Sequence, residues 1–322
     1  MYRHLPTRRT FLAGLTASLA APTVGRASGL QHASGHAFGT TWGISCNDPE
    51  AVEASQRGVT ALFAEIDKEM SPWRADSTIS QFNRNSTGVI ASAELSYVTQ
   101  AGLDLAALSE GAFDPTVGPL VARWGFGPIT QGALPDWRGV SLANERLTKN
   151  DPDLTLDLCG IAKGRALDRA ADLVRALGLG SALIDLGGEL RAVGQHPEGR
   201  DWRVAIENPL TTQPAGIVLN LPAGFSVATS GVGTQGYGRN GQVWGHIMDP
   251  MTAHPVAGKL RSVTVIGTEA MVADGWATAL FAAGDHAGPE IARAQDIAAV
   301  FLFDTGTGLR RIETGGIAAV LS

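Results

Sequence analysis

Cysteine is nearly missing from this chain: Cys46 and Cys159 are the only two among 322 residues. Two thiols build neither a ribbon-type zinc site nor a disulfide framework, and two free, buried thiols are expected. Charged residues are also sparse, at 17%, and the acidic ones win, for a net charge of −6. That balance argues against nucleic acid or an anionic membrane surface as a partner. Long apolar runs are lacking too. The stretch Phe11 to Ala21 falls short of the roughly 18 residues that span a bilayer, so the chain is expected not to cross a membrane. There is no internal repeat, low-complexity tract or clean linker.

One further absence is local. No acidic residue precedes Asp48, while Arg3, Arg8, Arg9 and Arg26 all lie in the first 27 residues. Thr7-Arg8-Arg9-Thr10-Phe11-Leu12 is a twin-arginine pattern, and Gly25-Arg26-Ala27 offers a small-residue cleavage site. Residues 1–27 are therefore expected to be a twin-arginine export signal, and 28–322 the mature domain in the bacterial periplasm. No cysteine stands at the cleavage site, so a lipid anchor is not expected.

What the chain has in plenty is glycine, 40 residues against a typical share of about 7%, and an apolar content of 44% that can fill a core. Val59, Leu62, Phe63, Ile66 and Met70 recur at helical spacing and predict a helix over about 51–70. A polar loop is expected at 71–83, a second helix through Leu95, Val98, Gly102, Leu105 and Leu108, and a loop at 111–127. Leu167, Ala170, Val174 and Leu177 predict a third helix ended by Gly178, and 270–283 a fourth. Strands are expected at 38–45, 182–186, 202–207, 217–221, 226–229, 241–248, 261–266, 299–303 and 317–321. Helices come early and between runs of strands, so the expected class is α+β, with mixed sheets flanked by helices.

Leu156 to Asp168 is the most informative segment. It reads as a short alternating strand, a tight glycine turn at Gly160 and an amphipathic helix, with Asp157 before the turn and Lys163 at the helix start. A helix N-terminus favours anions, so the turn suits a phosphorylated ligand; it also suits plain strand-to-helix packing. Asp274 and Thr278 stand four apart, on one helix face. They offer hard oxygens for magnesium, or a helix-start aspartate and a back-bonding threonine. His246, near a strand end, is a proton acceptor or a strand histidine. Thr229-Ser230-Gly231 offers hydroxyls and amides to a phosphate, or forms a turn. Gly231 to Gly236 matches the dinucleotide glycine fingerprint, but no helical pattern follows it, so a loop is expected. His32 and His36 have metal-like spacing within what reads as a frayed mature N-terminus.

Together these segments resemble the ApbE family of FAD:protein FMN transferases. The ordered matches are Phe38-Gly39-Thr40-Thr41, Met70-Ser71 through Phe82-Asn83, Gly111 to Leu120, Trp124-Gly125-Phe126-Gly127, the Asp157–Asp168 segment, Asp185-Leu186-Gly187-Gly188-Glu189, Ala228 to Gly231, His246 to Pro250, and Ala273 to Thr278. The resemblance implies an ApbE-like fold with an FAD groove, and magnesium (Mg2+) held by Asp274, Thr278 and the Gly160 carbonyl. It places Phe38, Met70, Ser71, Trp73, Ala112, Phe113, Asp114, Asp157, Lys163 and Ile247 against FAD, and His246 as the base. The implied reaction moves FMN from FAD, as substrate, to a threonine or serine hydroxyl of an acceptor redox protein, usually a membrane-bound subunit, and releases AMP. A twin-arginine leader in place of a lipoprotein signal resembles the branch accompanying nitrous oxide reductase maturation. Ala277 stands where some relatives carry a second acid, Phe38 where many carry Met, and 232–243 lacks the usual Asp-Tyr. The same residues would also serve an FAD pyrophosphatase or a non-catalytic flavin carrier.

Overall fold

The computed structural model describes residues 29–211, 214–232, 236–239 and 242–322. The expected export signal, Arg8 and Arg9 included, and most of the Gly231–Gly236 pattern lie outside the described residues. From Gln31 to Ser322 the chain forms one unit around an eight-stranded sheet. Its strands are β1 (Gln31–Ala37), β2 (Thr40–Cys46), β3 (Ala182–Leu186), β4 (Glu189–Val193), β5 (Ser226–Gly231), β6 (Leu260–Gly267), β7 (Ala299–Asp304) and β8 (Leu309–Thr314). Their order in space is their order in the chain, and every neighbouring pair is antiparallel. The sheet is thus a long meander, interrupted by excursions that carry the chemistry.

The largest excursion separates β2 from β3 and holds α1 (Pro49–Met70), α2 (Thr78–Arg84), α3 (Ala93–Leu108), α4 (Gly118–Arg123) and α5 (Cys159–Ala176). Asp48 starts α1 by accepting from the Glu50 and Ala51 N–H groups, both at 3.0 Å. Ser92 does the same for α3 through the Leu95 N–H. Two short helices stand where loops were expected. Ser77 caps α2 through the Ser80 N–H, and Pro119 opens the first turn of α4. Between β6 and β7 run α6 (Ala270–Ala282) and α7 (Gly284–Ala294).

The core lies between the sheet and the helices. Trp42 and Ile44 of β2, Ala182, Ile184 and Leu186 of β3, and Val59 and Phe63 of α1 all belong to it. In β7 alternate residues Ala299, Phe301 and Phe303 join this core, while Val300 and Leu302, on the other face, are buried as well. β7 is therefore covered on both sides, which accounts for its unbroken apolar run.

Several local expectations are corrected. The strand expected at 38–45 is the second half of a hairpin, turned at Phe38 and Gly39, both with positive φ (51° and 73°). Residues 32–36 are not frayed: they form β1, and His32 Nδ1 bonds Ser45 Oγ at 2.9 Å. Residues 317–321, expected as a strand, lie mostly in a 3-10 helix, Gly315–Val320. Cys46 and Cys159 are both free, but only Cys46 is buried.

Candidate active site

The site is built where α5 and α6 touch. Gly164 lets their backbones meet: a Cβ there would lie 2.3 Å from the Ala270 carbonyl oxygen. At this contact the Gly164 N–H donates to Asp274 Oδ2 at 2.9 Å. One turn further along, Thr278 Oγ1 donates to the Gly160 carbonyl at 3.3 Å and lies 3.2 Å from Ser230 Oγ of β5. Gly160 itself is inside the first turn of α5 rather than in a separate tight turn. Its missing side chain still matters, because a Cβ would sit 3.0 Å from Thr278 Cγ2 and 3.2 Å from Phe113 Cε2.

Residues 154–158, directly before α5, form no ladder strand, contrary to the alternating pattern. They are held by side chains instead. The Asn83 amide donates to the Leu156 carbonyl at 2.9 Å and accepts from the Leu156 N–H at 2.7 Å, which imitates a strand partner. Asp157 donates its own N–H to the Pro115 carbonyl, and its carboxylate accepts from the Cys159 N–H at 3.0 Å. The N-cap residue of α5, Leu158, contributes no side-chain cap, and the first turn carries no acid. The helix therefore starts with positive character, the condition under which an anion binds.

Lys163 adds a full charge. Its Nζ lies 2.6 Å from Glu189 Oε1. Glu189 is delivered there by a two-residue hairpin, Gly187-Gly188, whose φ values are 66° and 100°. Burial opposes the charge on Lys163, but the Glu189 and Asp274 carboxylates outweigh it and hold its pKa above the usual lysine value. Burial raises the Glu189 pKa against the pull of Lys163, and among the described residues its Oε2 has no hydrogen-bond partner. Burial also pushes Asp274 up to about 7; Lys163 works against this shift and the charge of Glu189 works with it. Cys159 reaches solvent, yet the protein packed around its thiol and the Asp157 carboxylate push its pKa well above the usual thiol value.

A buried carboxylate with a raised pKa is one that lacks compensating positive charge. Among the described residues no group of three or more His, Cys, Asp or Glu could hold a metal. What α5 and α6 offer is a carboxylate, a hydroxyl and a carbonyl. That hard-oxygen set fits magnesium and does not fit zinc. Ala277 lies fully buried in the core and adds no donor.

The other sequence-predicted residues fall into two groups. Phe113 packs beside Gly160, next to Ala112. Ser71 ends α1, and Trp73 in the same loop is 67% exposed. His246 lies edge-on to Phe126, with ring centroids 6.3 Å apart, while Trp124 stacks on Trp244 at 5.1 Å. The 124–127 loop and the His246 loop are thus joined by aromatic contacts. By contrast, Met70 and Ile247 are core residues, and Phe38 leans on Phe63, ring centroids 5.5 Å apart. Asp114 is turned inward, accepting from the Thr116 N–H and hydroxyl. A cavity of about 550 Å³ is lined by Pro72, Asn83, Arg84, Ile129, Asp153 and Thr155 among others, and none of Gly160, Lys163, Asp274 and Thr278 lines it.

Sequence reasoning gave no role to Glu189, Asn83 or Asp168. The Gly-Gly pair before Glu189 was the available signal for the first, since it marks a two-residue hairpin. Asn83 and Asp168 act through contacts 73 and 102 residues away in the chain, for which no local pattern exists.

The fold is an α+β meander in which two of the inserted helices, α5 and α6, bring an oxygen-donor set beside a lysine-bearing helix start. The comparisons give that fold its family. The ApbE family model matches residues 38–301. FAD:protein FMN transferase from Vibrio cholerae is 32% identical over 310 residues, covering 90% of this chain and 92% of that protein. FAD:protein FMN transferase from Haemophilus influenzae is 32% identical over 301 residues, covering 85% and 87%. Among solved structures, flavin transferase ApbE from Vibrio cholerae superposes with a TM-score of 0.81 at 30% identity, covering 90% of this chain and 99% of that one. Flavinyl transferase ApbE from Pseudomonas stutzeri, in its apo form, gives a TM-score of 0.81 at 32% identity, covering 90% and 96%. The chain belongs to the ApbE family.

Proposed function

We propose that this protein is an FAD:protein FMN transferase that uses magnesium to move FMN from FAD to a threonine or serine hydroxyl of a periplasm-facing redox protein. The observation that carries the reading is the junction of α5 and α6. An oxygen-donor set from Gly160, Asp274 and Thr278 lies beside the start of α5, whose N-cap residue gives no side-chain cap, and beside Lys163. Such a junction handles a pyrophosphate and a dication together.

In this reading Asp274, Thr278 and the Gly160 carbonyl hold magnesium, which when bound neutralises the pyrophosphate oxygens and the leaving AMP. The α5 N-terminus and Lys163 fix the pyrophosphate, with Glu189 keeping Lys163 charged. His246 takes the proton of the acceptor hydroxyl. The new bond joins that oxygen to the FMN phosphorus, the bond from this phosphorus to the AMP oxygen breaks, and AMP leaves with the electron pair. Residues 1–27 carry the protein to the periplasm by the twin-arginine route, where the acceptor, a membrane-bound subunit, presents its hydroxyl.

The test is to incubate the mature protein with FAD, magnesium and a candidate acceptor, and to follow acceptor mass and AMP. The expected result is AMP plus an acceptor heavier by one FMN group, lost in excess EDTA and in His246→Ala. Free FMN released at a rate indifferent to acceptor would instead mean a pyrophosphatase. Intact FAD, tightly bound under all conditions, would mean a carrier. Replacing Arg8 and Arg9 by lysine should strand the precursor in the cytoplasm; undiminished periplasmic yield would refute the export route.

A further inference from the structure

Asp168 ends the Leu156–Asp168 segment, two turns beyond Gly160 on α5, and nothing in the proposed reaction uses it. Its two carboxylate oxygens accept from the Ala270 N–H at 2.8 Å and the Met271 N–H at 2.9 Å. These are the first two N–H groups of α6, whose own N-cap residue, Glu269, supplies no side-chain cap. The cap of α6 therefore comes from another helix. The exchange is reciprocal, since Asp274 of α6 accepts from the Gly164 N–H of α5. Arg191 fixes the arrangement to the sheet. Its Nη1 lies 3.1 Å from Asp168 Oδ1 and donates to Ser226 Oγ at 2.7 Å and to the Thr268 carbonyl at 2.6 Å. Asp168 and Arg191 are both buried.

These contacts determine where α6 starts relative to α5. Asp274 lies one turn from Ala270 and Thr278 two, so a shift of the α6 start is passed rigidly along the helix. The contact between Thr278 Oγ1 and the Gly160 carbonyl, 3.3 Å, does not survive a displacement of about 1 Å, roughly twice the tolerance of a preorganised site. We propose that Asp168, anchored by Arg191, is a positioning residue that sets the register of α6 on α5 and so preforms the divalent-cation site of Gly160, Asp274 and Thr278. This rests on reading those oxygens as a cation site.

The test uses the full mature chain and Mn2+ as the probe, with free ion counted by electron paramagnetic resonance in the absence of FAD. Asp168→Asn keeps the side-chain shape but turns an NH2 group toward one helix N–H and removes the charge that Arg191 faces. The Mn2+ dissociation constant is expected to rise tenfold or more, with FAD affinity in metal-free buffer within twofold of the wild type. Val300→Ala, in the buried outer face of β7, is the control for general destabilisation and should keep the wild-type Mn2+ constant. Asp168→Asn with unchanged Mn2+ affinity and only a lower Tm would reduce Asp168 to a structural cap. Equal Mn2+ loss in Val300→Ala would also overturn the proposal. Wild-type protein that binds FAD but no Mn2+ removes the cation reading itself, and the proposal with it. Should Asp168→Asn fail to fold, Arg191→Lys retains the cap and loosens its anchor, and threefold or greater weakening of Mn2+ binding is expected against no change.

Discussion

Gly164→Ala isolates the α5–α6 contact. In an exposed helix interior the change from glycine to alanine stabilises by about 1 kcal/mol. Here the added Cβ would lie 2.3 Å from the Ala270 oxygen, 2.6 Å from its carbonyl carbon and 2.7 Å from Met271 Cα. All three are backbone atoms, so no side chain can swing away and α6 must move as a body. Overpacking of this kind costs about 1–3 kcal/mol. The movement also stretches the bond from the Gly164 N–H to Asp274, and a buried group left unpaired adds about 1–3 kcal/mol. Set against the propensity gain, the net is a loss of about 1–5 kcal/mol. Gly102→Ala on α3 is the matched comparison. Its Cβ would meet only Leu158 Cδ2 and Phe113 Cε1, both at 3.7 Å, which is ordinary contact, so a gain of about 1 kcal/mol is expected. Urea unfolding of both variants, followed by tryptophan fluorescence, should move the midpoint down for Gly164→Ala and up for Gly102→Ala with little change in m-value. A midpoint that rises in Gly164→Ala would refute the close packing of α5 on α6.

Asp274 predicts a pH dependence. Its folded pKa, pushed up to about 7 by burial, lies above the usual carboxylate value, so without a cation the folded protein holds this proton more tightly than the unfolded chain. That contribution is full in acid and is lost as pH rises through about 7. Cation binding has the opposite sign: it needs the ionised form, so Mn2+ affinity should fall about tenfold per pH unit below 7, with one proton released per ion, measured by calorimetry in buffers of different ionisation enthalpy. Affinity that stays flat from pH 5 to 8 would contradict the assignment. Asn83→Ala should cost about 2–6 kcal/mol in urea unfolding, because the N–H and C=O of Leu156 both lose their partner; a loss below about 0.5 kcal/mol would mean water replaces the amide. Lys163→Met should weaken FAD binding about tenfold or more, the worth of a charge-assisted contact, as read by flavin fluorescence titration. Unchanged FAD affinity would show that Lys163 does not hold the pyrophosphate.

The legible part of the candidate site was the part written in short-range order. Asp274 and Thr278 share a face because a helix repeats every 3.6 residues, and Asp157, Gly160 and Lys163 cluster because one helix start contains them. The apolar spacing of Val59, Phe63, Ile66 and Met70 placed α1, and the chain's α+β class followed from the order of such patterns. What the spacing could not show is how deeply each of the other named side chains is buried. Met70 and Ile247 are core residues, and Asp114 closes a turn, because burial depends on neighbours far away in the chain. Alternation at 154–158 looked like a strand, yet a strand needs a partner, and here the partner is the single amide of Asn83. Gly160 read as a turn because glycine permits one, whereas its use is to leave room for Thr278 and Phe113. The sequence by itself therefore determined the long helices, most of the sheet strands and the chemical types at their ends. The tertiary structure alone decided that α5 lies on α6, that Glu189 reaches Lys163 and that Asp168 caps a helix 102 residues on. Local periodicity carries no record of a contact between distant segments; only the packing of Gly164 against Ala270, and the burial it brings, turns two separate helices into one site.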